Sequence, residues 1–527
     1  MPRLRTSVAP LLLVSFALLP ACSFLLDFDG LQKGKGTGGN SQGGGANPTG
    51  GTESAGGNLS AGNAGNAGNA GHAGGAGGAG GHGGAAGHFG DAGAAGATCE
   101  CVDTDTDPCT VARCIDRGNG PECVESPREG LILDRDFTPI VAERHYQLKL
   151  LAGPSEFYVS ALSTTGGVAD ATIYRLSPTS TTVTPALELN AMKVAGPPLS
   201  APALAVDTSN GLRIHAFVGM REALGPGARA WHLALDADLK VQLRTPVSTT
   251  YAVASSLAAQ SQQPSALTAG DETWGAWVNA DGTIGVTSIG ANPQTIQFGS
   301  VTMPASSVTL IAGRTNRPAV LFTSDANGVY TQSEVGLAQL SECQPEIGVY
   351  YGAYAAPTSF TGFWAIGWTK SGSAYLTSES SLAICAANTA CSTDPACDSN
   401  EANNLIRNPA VAAQHLQGDP VGVVYYLDVL PSLVPTSATA FQASVAALLF
   451  RIDFGSNPNL SGVQPPTSVG DPLILSTQTT TAAANYRGPD HAAAAIIADT
   501  AAIAWIEPTL DGSDQIRVQR YKMCLPR

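Results

Sequence analysis

With 27 Lys and Arg against 42 Asp and Glu in 527 residues, and a formal net charge of −15, the chain has no basic surplus for holding nucleic acid. It exceeds the roughly 250–300 residues at which one hydrophobic core stops growing, so several domains or a repeat architecture are expected. Only 13% of residues are charged and Gly numbers 60, a composition of strands, turns and linkers.

Arg3 and Arg5 precede an apolar run over residues 8–19 that is too short for the ~20 residues a bilayer span needs, so residues 1–21 read as a signal peptide. Ala21 directly precedes Cys22, and Leu19 stands three residues before it. This stretch resembles the lipobox of bacterial lipoproteins. The resemblance implies that the Cys22 thiol is acylated, becomes the new N-terminus and holds the chain to a membrane. Ser23, where Asp would favour inner-membrane retention, implies the outer membrane, on its periplasmic or its extracellular face.

Residues 22–98 form a stalk, nearly all Gly, Ala, Asn and Ser between 34 and 97. Such a segment buries too little apolar surface to offset an ordering entropy of ~1–2 kcal/mol per residue. As a Gly-rich coil of about sixty residues it would span roughly 40–50 Å. Gly recurs at every third position from Gly62 to Gly83, but the run has no Pro and does not read as a collagen helix. His72, His82 and His88 read as solvated spacers, because nothing there fixes one ligand geometry.

Residues 99–130 are an acidic, turn-rich module carrying Cys99, Cys101, Cys109, Cys114 and Cys123. Its core, Asp105-Thr106-Asp107-Pro108-Cys109-Thr110 followed by Cys114, resembles the D-x-x-P-C-T-x-x-x-C repeat of cysteine-rich extracellular proteins, which implies a disulfide module and no activity. Asp103, Asp105 and Asp107 alternate as at the start of a calcium loop. Pro108 stands where such a loop needs Gly, however, and Cys114 where it needs a bidentate Glu. Asx turns are the reading, an irregular calcium site the alternative, and no other cofactor is expected.

Residues 131–527 show short alternating strands between Gly, Pro, Asn and Asp, an all-β signature. A unit of three or four strands recurs over 146–189, 202–247, 264–298, 307–340, 347–385, 409–475 and 491–524. These units resemble blades of bacterial β-propellers, which implies a seven-bladed ring; six or eight blades, or paired β-sandwiches, are the alternatives. The last unit is one strand short, and residues 131–140 (LILDRDFTPI) supply a spare strand ahead of the first. An N-terminal strand lent to the last blade would close the ring and remove its free edge.

Cysteine parity leads to the same seam. Of 11 cysteines, setting aside Cys22 leaves an even number in an exported chain, and so a disulfide framework. If Cys343, Cys385, Cys391 and Cys397 pair among themselves, Cys524 must reach back to the 99–123 group. Such a bridge would close a loop of about 400 residues and stabilise by about 4–5 kcal/mol or more in chain-entropy terms.

The chemistry in the sequence is sparse. Trp274, Trp277, Trp364, Trp368 and Trp505 fall on central strands and suit packing between blades; Trp364 and Trp368 share a face, as stacking on a sugar ring would require. His145, His215, His232, His415 and His491 lack metal-ligand spacing and read as structural. Asp281-Gly282, Asn327-Gly328 and Asp511-Gly512 read as hairpin turns in which Gly takes φ > 0. A polar loop over 385–404 and a long turn over 431–439 are the expected insertions. No catalytic residue can be nominated. The expected function is a lipid-anchored surface binding or adhesion module for a protein or glycan, with a propeller hydrolase or lyase acting on glycans and an inert structural protein as alternatives.

Overall fold

A computed structural model describes Cys101 and, from 107 to 526, all but the connecting segments, of which 254–262, 342–349, 355–363, 393–404, 415–422, 454–466 and 482–490 are the longest; for 323–409 it describes backbone alone. Backbone contacts divide the chain into Met1–Ala92 and Gly93–Arg527, and the described residues belong to the second unit.

Every regular element among the described residues is a β-strand. Strands β1 (Thr110–Asp116) and β2 (Pro121–Pro127) form a separate exposed hairpin, and the remaining strands form seven sheets. The first sheet shows the plan: β5 (Arg144–Ala152), β6 (Phe157–Thr165), β7 (Val168–Leu176) and β8 (Thr184–Glu188) pair antiparallel in chain order. Blade 2 follows with β9 (Ala203–Asp207), β10 (Arg213–Arg221), β11 (Ala228–Leu235) and β12 (Val241–Pro246). Blade 3 has β13 (Ser265–Ala269), β14 (Glu272–Val278), β15 (Ile284–Ile289) and β16 (Thr295–Phe298). Blade 4 covers Ser307 to Ser341, blade 5 Tyr350 to Ser392, blade 6 Leu405 to Thr481, and blade 7 holds β32 (His491–Ile497), β33 (Thr500–Pro508) and β34 (Asp514–Cys524).

One strand at the inner end of each blade touches its counterparts in the two neighbouring blades: β5, β9, β13, β17 (Ser307–Ala312), β21 (Tyr350–Tyr354), β27 (Ala410–Gln414) and β32, which returns to β5. That cycle is a seven-bladed β-propeller.

The sequence of a central strand follows from its place between two neighbours. In β33, Ala501, Ile503 and Trp505 pack with blade 6, while Ala502, Ala504 and Ile506 pack with blade 1. Both faces are buried, so the strand is apolar almost throughout. In β6, Phe157, Val159 and Ala161 face blade 7 while Tyr158 and Leu162 face blade 2. Outer strands meet solvent instead, and β12 is exposed over most of its length.

Blade 7 is completed from the other end of the chain. Strand β3 (Gly130–Asp136) pairs with β34 from Gly130↔Cys524 to Asp136↔Gln519, and β4 (Ile140–Ala142) continues the same edge opposite Asp514 and Ile516. Between them Phe137 turns inward, 2% exposed, and its N–H donates to the Val518 carbonyl. A bulge between Leu133 and Arg135 leaves Asp134 out of the ladder, where it pairs with Arg520. Arg517 pairs with Asp136, and the buried Asp514 carboxylate accepts from the Arg144 guanidinium and the His145 N–H of blade 1.

A disulfide joins Cys109 to Cys524 across 415 residues, a second joins Cys101 to Cys123, and Cys114 is also disulfide-bonded. Gly130, at φ 108°, meets Gly470, at φ 73°, so closely that a Cβ on Gly470 would lie 2.5 Å from the Glu129 carbonyl oxygen. Only Gly fits that crossing.

Two expectations need correction. Residues 431–437 are not a turn: they extend β28 (Val423–Ser437), which pairs with β29 (Ala440–Asp453), leaving only 438–439 to connect them. Pro431 is tolerated because it falls between the stretches of β28 covered by β27 and by β26 (Leu405–Ile406), and Pro435 lies beyond both, at a register shift. Neither position needs a second ladder N–H. The 385–404 insertion is likewise not all loop, since Cys385 lies in β24 (Ser381–Ala386), opposite Cys391 in β25 (Cys391–Ser392).

Candidate functional site

The innermost strand of a blade has one ladder neighbour, so its free edge and its inward side chains face the centre of the ring. Between β5, β9 and β13 lies a cavity of about 140 Å³. Its walls are Leu150 and Leu151 from blade 1, Ala203 and Leu204 from blade 2, and Ser265 and Ala266 from blade 3. One cation, Lys149 of β5, enters this lining.

Alternation along β5 aims Lys149 where it is. Leu148 and Leu150 pack toward blade 7 and Leu151 toward blade 2. On the blade 2 side Gln147 accepts from the Ala201 N–H at 2.6 Å. Lys149 Nζ donates to the Pro264 carbonyl just ahead of β13, at 3.0 Å. The side chain thus reaches from blade 1 to blade 3. Lys149 is partly exposed, and burial lowers its ammonium to about 8, with no charged neighbour contributing. Ser265 Oγ accepts from the Leu310 N–H of blade 4 at 2.9 Å, which leaves its own hydrogen to donate.

A second polar cluster lies at the interface of blades 2 and 3. His215 Nδ1 and His232 Nε2 are 2.9 Å apart, with stacked rings at a centroid distance of 5.1 Å. Asp207 Oδ2 stands 3.8 Å from His215 Nε2. Burial, and then the proximity of His215, lowers His232 to about 4; burial also lowers His215, with Asp207 opposing. Both rings are therefore neutral at pH 7, one nitrogen donating to the other. Phe217 packs on His232 and covers Gly275 of blade 3, where a Cβ would lie 2.1 Å from the ring. The pair packs blade against blade, apart from the cavity lining.

The residues singled out in the sequence fall elsewhere. Cys22, Cys99, Asp103, Asp105, Cys343 and Cys397 lie outside the described residues, as does His415. Asp107 Oδ1 accepts the Cys109 N–H at 2.9 Å in an Asx turn. Trp364 and Trp368 lie in β22 (Trp364–Trp368), opposite Tyr354 and Tyr350, with backbone alone described. Trp274, Trp277 and Trp505 are at most 2% exposed and belong to the interblade packing. The indole of Trp277 donates to Asn279, and that of Trp505 to Glu507, each two residues on. Gly282 and Gly512 take φ of 80° and 85°, beside Asp281 and Asp511, whose carboxylates accept the Thr283 and Ser513 N–H groups. Among the described residues no group of three or more His, Cys, Asp or Glu side chains is arranged to hold a metal ion, and no helix is long and apolar enough to cross a membrane.

Lys149 was the residue that sequence reasoning missed. Its cavity partners in blades 2 and 3 are more than fifty residues away, and no spacing rule connects them. The available signal was one cation in the apolar alternation of Tyr146-Gln147-Leu148-Lys149-Leu150-Leu151.

No protein-family model matches the chain, and no curated protein matches it. Among solved structures it is similar to Trypanosoma rangeli sialidase, at 9% identity and a TM-score of 0.37, covering 78% of this chain and 57% of the sialidase. The chain thus spans a little over half the length of that enzyme. It is also similar to the alpha-L-arabinofuranosidase ARB93A from Fusarium graminearum, at 7% identity and a TM-score of 0.39 over 74% of this chain and 98% of that one. AofleA from Arthrobotrys oligospora aligns at 9% identity and a TM-score of 0.34, over 64% and 91%. Likenesses this distant carry no argument about function, and the ring rests on the strand pairing above.

Proposed function

We propose that the chain is a binding module: a propeller held through lipid on Cys22 to the outer membrane, on a Gly-rich tether, which engages a surface protein or glycan. The observation that carries the binding half is the cavity among the inner strands of blades 1–3. Its lining offers an ammonium, a hydroxyl and apolar side chains, and no carboxylate. Hydrolysis of a glycosidic bond canonically uses two carboxyl groups, a general acid and a nucleophile or base. An ammonium beside a hydroxyl holds a ligand by charge and hydrogen bond and has no such pair to cleave it with.

The anchoring half rests on the Ala21-Cys22 lipobox and on the composition of residues 34–97. This plan of anchor, tether and body resembles that of exported lipoproteins of social, gliding Gram-negative bacteria.

The full chain, assayed on a glycan array and as bait in a pull-down from envelope fractions, is expected to retain a saturable partner while leaving a panel of polysaccharides intact. Hydrolysis of any of them would replace this reading with the enzymatic one, and silence in all three assays would leave a structural role. Labelled lipid is expected on the wild-type chain and not on Cys22→Ala; equal labelling of both would remove the anchor.

A further inference from the structure

We infer that the cavity between β5, β9 and β13 is a site for a small carboxylate, with Lys149 as its counter-ion and Ser265 as a second donor. This rests on the reading of the chain as a binding module and names the chemical group that its cavity takes.

The ammonium of Lys149 carries three hydrogens, and the Pro264 carbonyl takes one of them at 3.0 Å. A partly buried charge is favoured by an opposite charge beside it. No acidic side chain lines this cavity to pair with it. The remaining donors suit an anion brought from outside. Ser265, whose oxygen already accepts from Leu310, has a hydrogen to give a second carboxylate oxygen.

Size and charge narrow the class. A cavity of about 150 Å³ accommodates benzene, so about 140 Å³ suits, by size, an acid of about six heavy atoms. One monovalent cation neutralises one carboxylate, whereas a phosphate or sulfate dianion would keep excess charge against Leu150, Leu151 and Leu204. Propionate, butyrate and lactate meet both conditions.

The protonation of Lys149 gives the site a signature. Among the lining residues of β5, β9 and β13 it alone titrates, and its free value is lowered to about 8. A carboxylate needs the ammonium form. Affinity is therefore expected to be level below pH 7 and to fall about tenfold per pH unit above 8. Binding at pH 8.5 takes up a proton, and binding at pH 6.5 does not.

The test is titration calorimetry of the full chain with propionate, butyrate and lactate at pH 6.5 and 8.5, each in two buffers of different ionisation heat. Saturable binding with proton uptake only at pH 8.5 is the expected result. Lys149→Met is expected to weaken it at least about tenfold. Lys149→Arg, which keeps its charge, is expected to lose the pH dependence, and circular dichroism of both variants checks their folding. Absence of binding, binding unchanged in Lys149→Met, or preference for inorganic phosphate or sulfate overturns the assignment. A chain that keeps its array or pull-down partner while ignoring these acids overturns the carboxylate site and leaves the binding reading intact.

Discussion

Two junctions in the ring solve the same packing problem by different means. Between blades 2 and 3 the chain runs on through 246–265, and the contact is made by shape: Phe217 over Gly275, Tyr251 over Gly219, and the His215–His232 stack beneath. At blade 7 no peptide continuity holds the ring shut, because its outer edge is borrowed from residues 130–142. There the structure adds a disulfide, two aspartates facing arginines, and the buried Asp514 bonded to the first strand of blade 1. The lesson is that a closed sheet ring is symmetric in its strands and asymmetric in its bonds. The asymmetry sits where the two chain segments meet.

The contrast is broken most strongly at the disulfide. Cys524→Ser frees a loop of 415 residues, and chain-entropy arithmetic sets an upper limit of about 6 kcal/mol on its cost, which residual structure in the unfolded chain reduces. Denaturant unfolding is expected to show this loss under oxidising conditions only, with wild type and variant converging once reduced; a difference that survives reduction would assign the effect to side-chain packing.

Acid is expected to weaken both junctions. Burial lowers His145 at the seam and His232 at the inner junction to about 4, whereas an unfolded His titrates near 6.5. The unfolded chain therefore binds these protons first, so stability is full above pH 6.5 and falls as pH drops toward 4. At ~1.4 kcal/mol per unit the loss reaches about 3 kcal/mol for His145. Unfolding midpoints at pH 7 and pH 5 for wild type and His145→Gln measure it, and a variant with the same pH slope as wild type would exclude His145 as the source.

The smallest effect is expected from Gly275→Ala, which puts a methyl group against the Phe217 ring and costs about 2 kcal/mol through overpacking. Phe217→Leu is expected to relieve part of that cost in the double variant. Strictly additive single effects in urea denaturation would show that the two residues do not touch in the way described.

The blades were readable in the sequence because their rules are local. Trp274-Gly275-Ala276-Trp277-Val278 declares a strand buried on both faces, and Asp281-Gly282 and Asp511-Gly512 declare the turns that follow such strands. The seam was readable through two counts, one spare strand and one spare cysteine. Pro431 and Pro435 were misread because a Pro inside a run speaks against a strand; whether its missing N–H matters depends on neighbours that only the sheet reveals. The cavity was hidden for a related reason. Lys149, Leu204 and Ser265 meet because three blades converge, and no window of the sequence holds all three.

The Cys109–Cys524 bond also decides how the molecule carries mechanical load. A pull on the chain ahead of Cys109 does not have to travel through residues 110–129 and then peel β3 away from β34 one hydrogen bond at a time. Tension passes through a covalent link directly into the last strand of the ring, whose flank is shared by β33 and β3. The borrowed strand is thereby shielded from the force most able to unzip it.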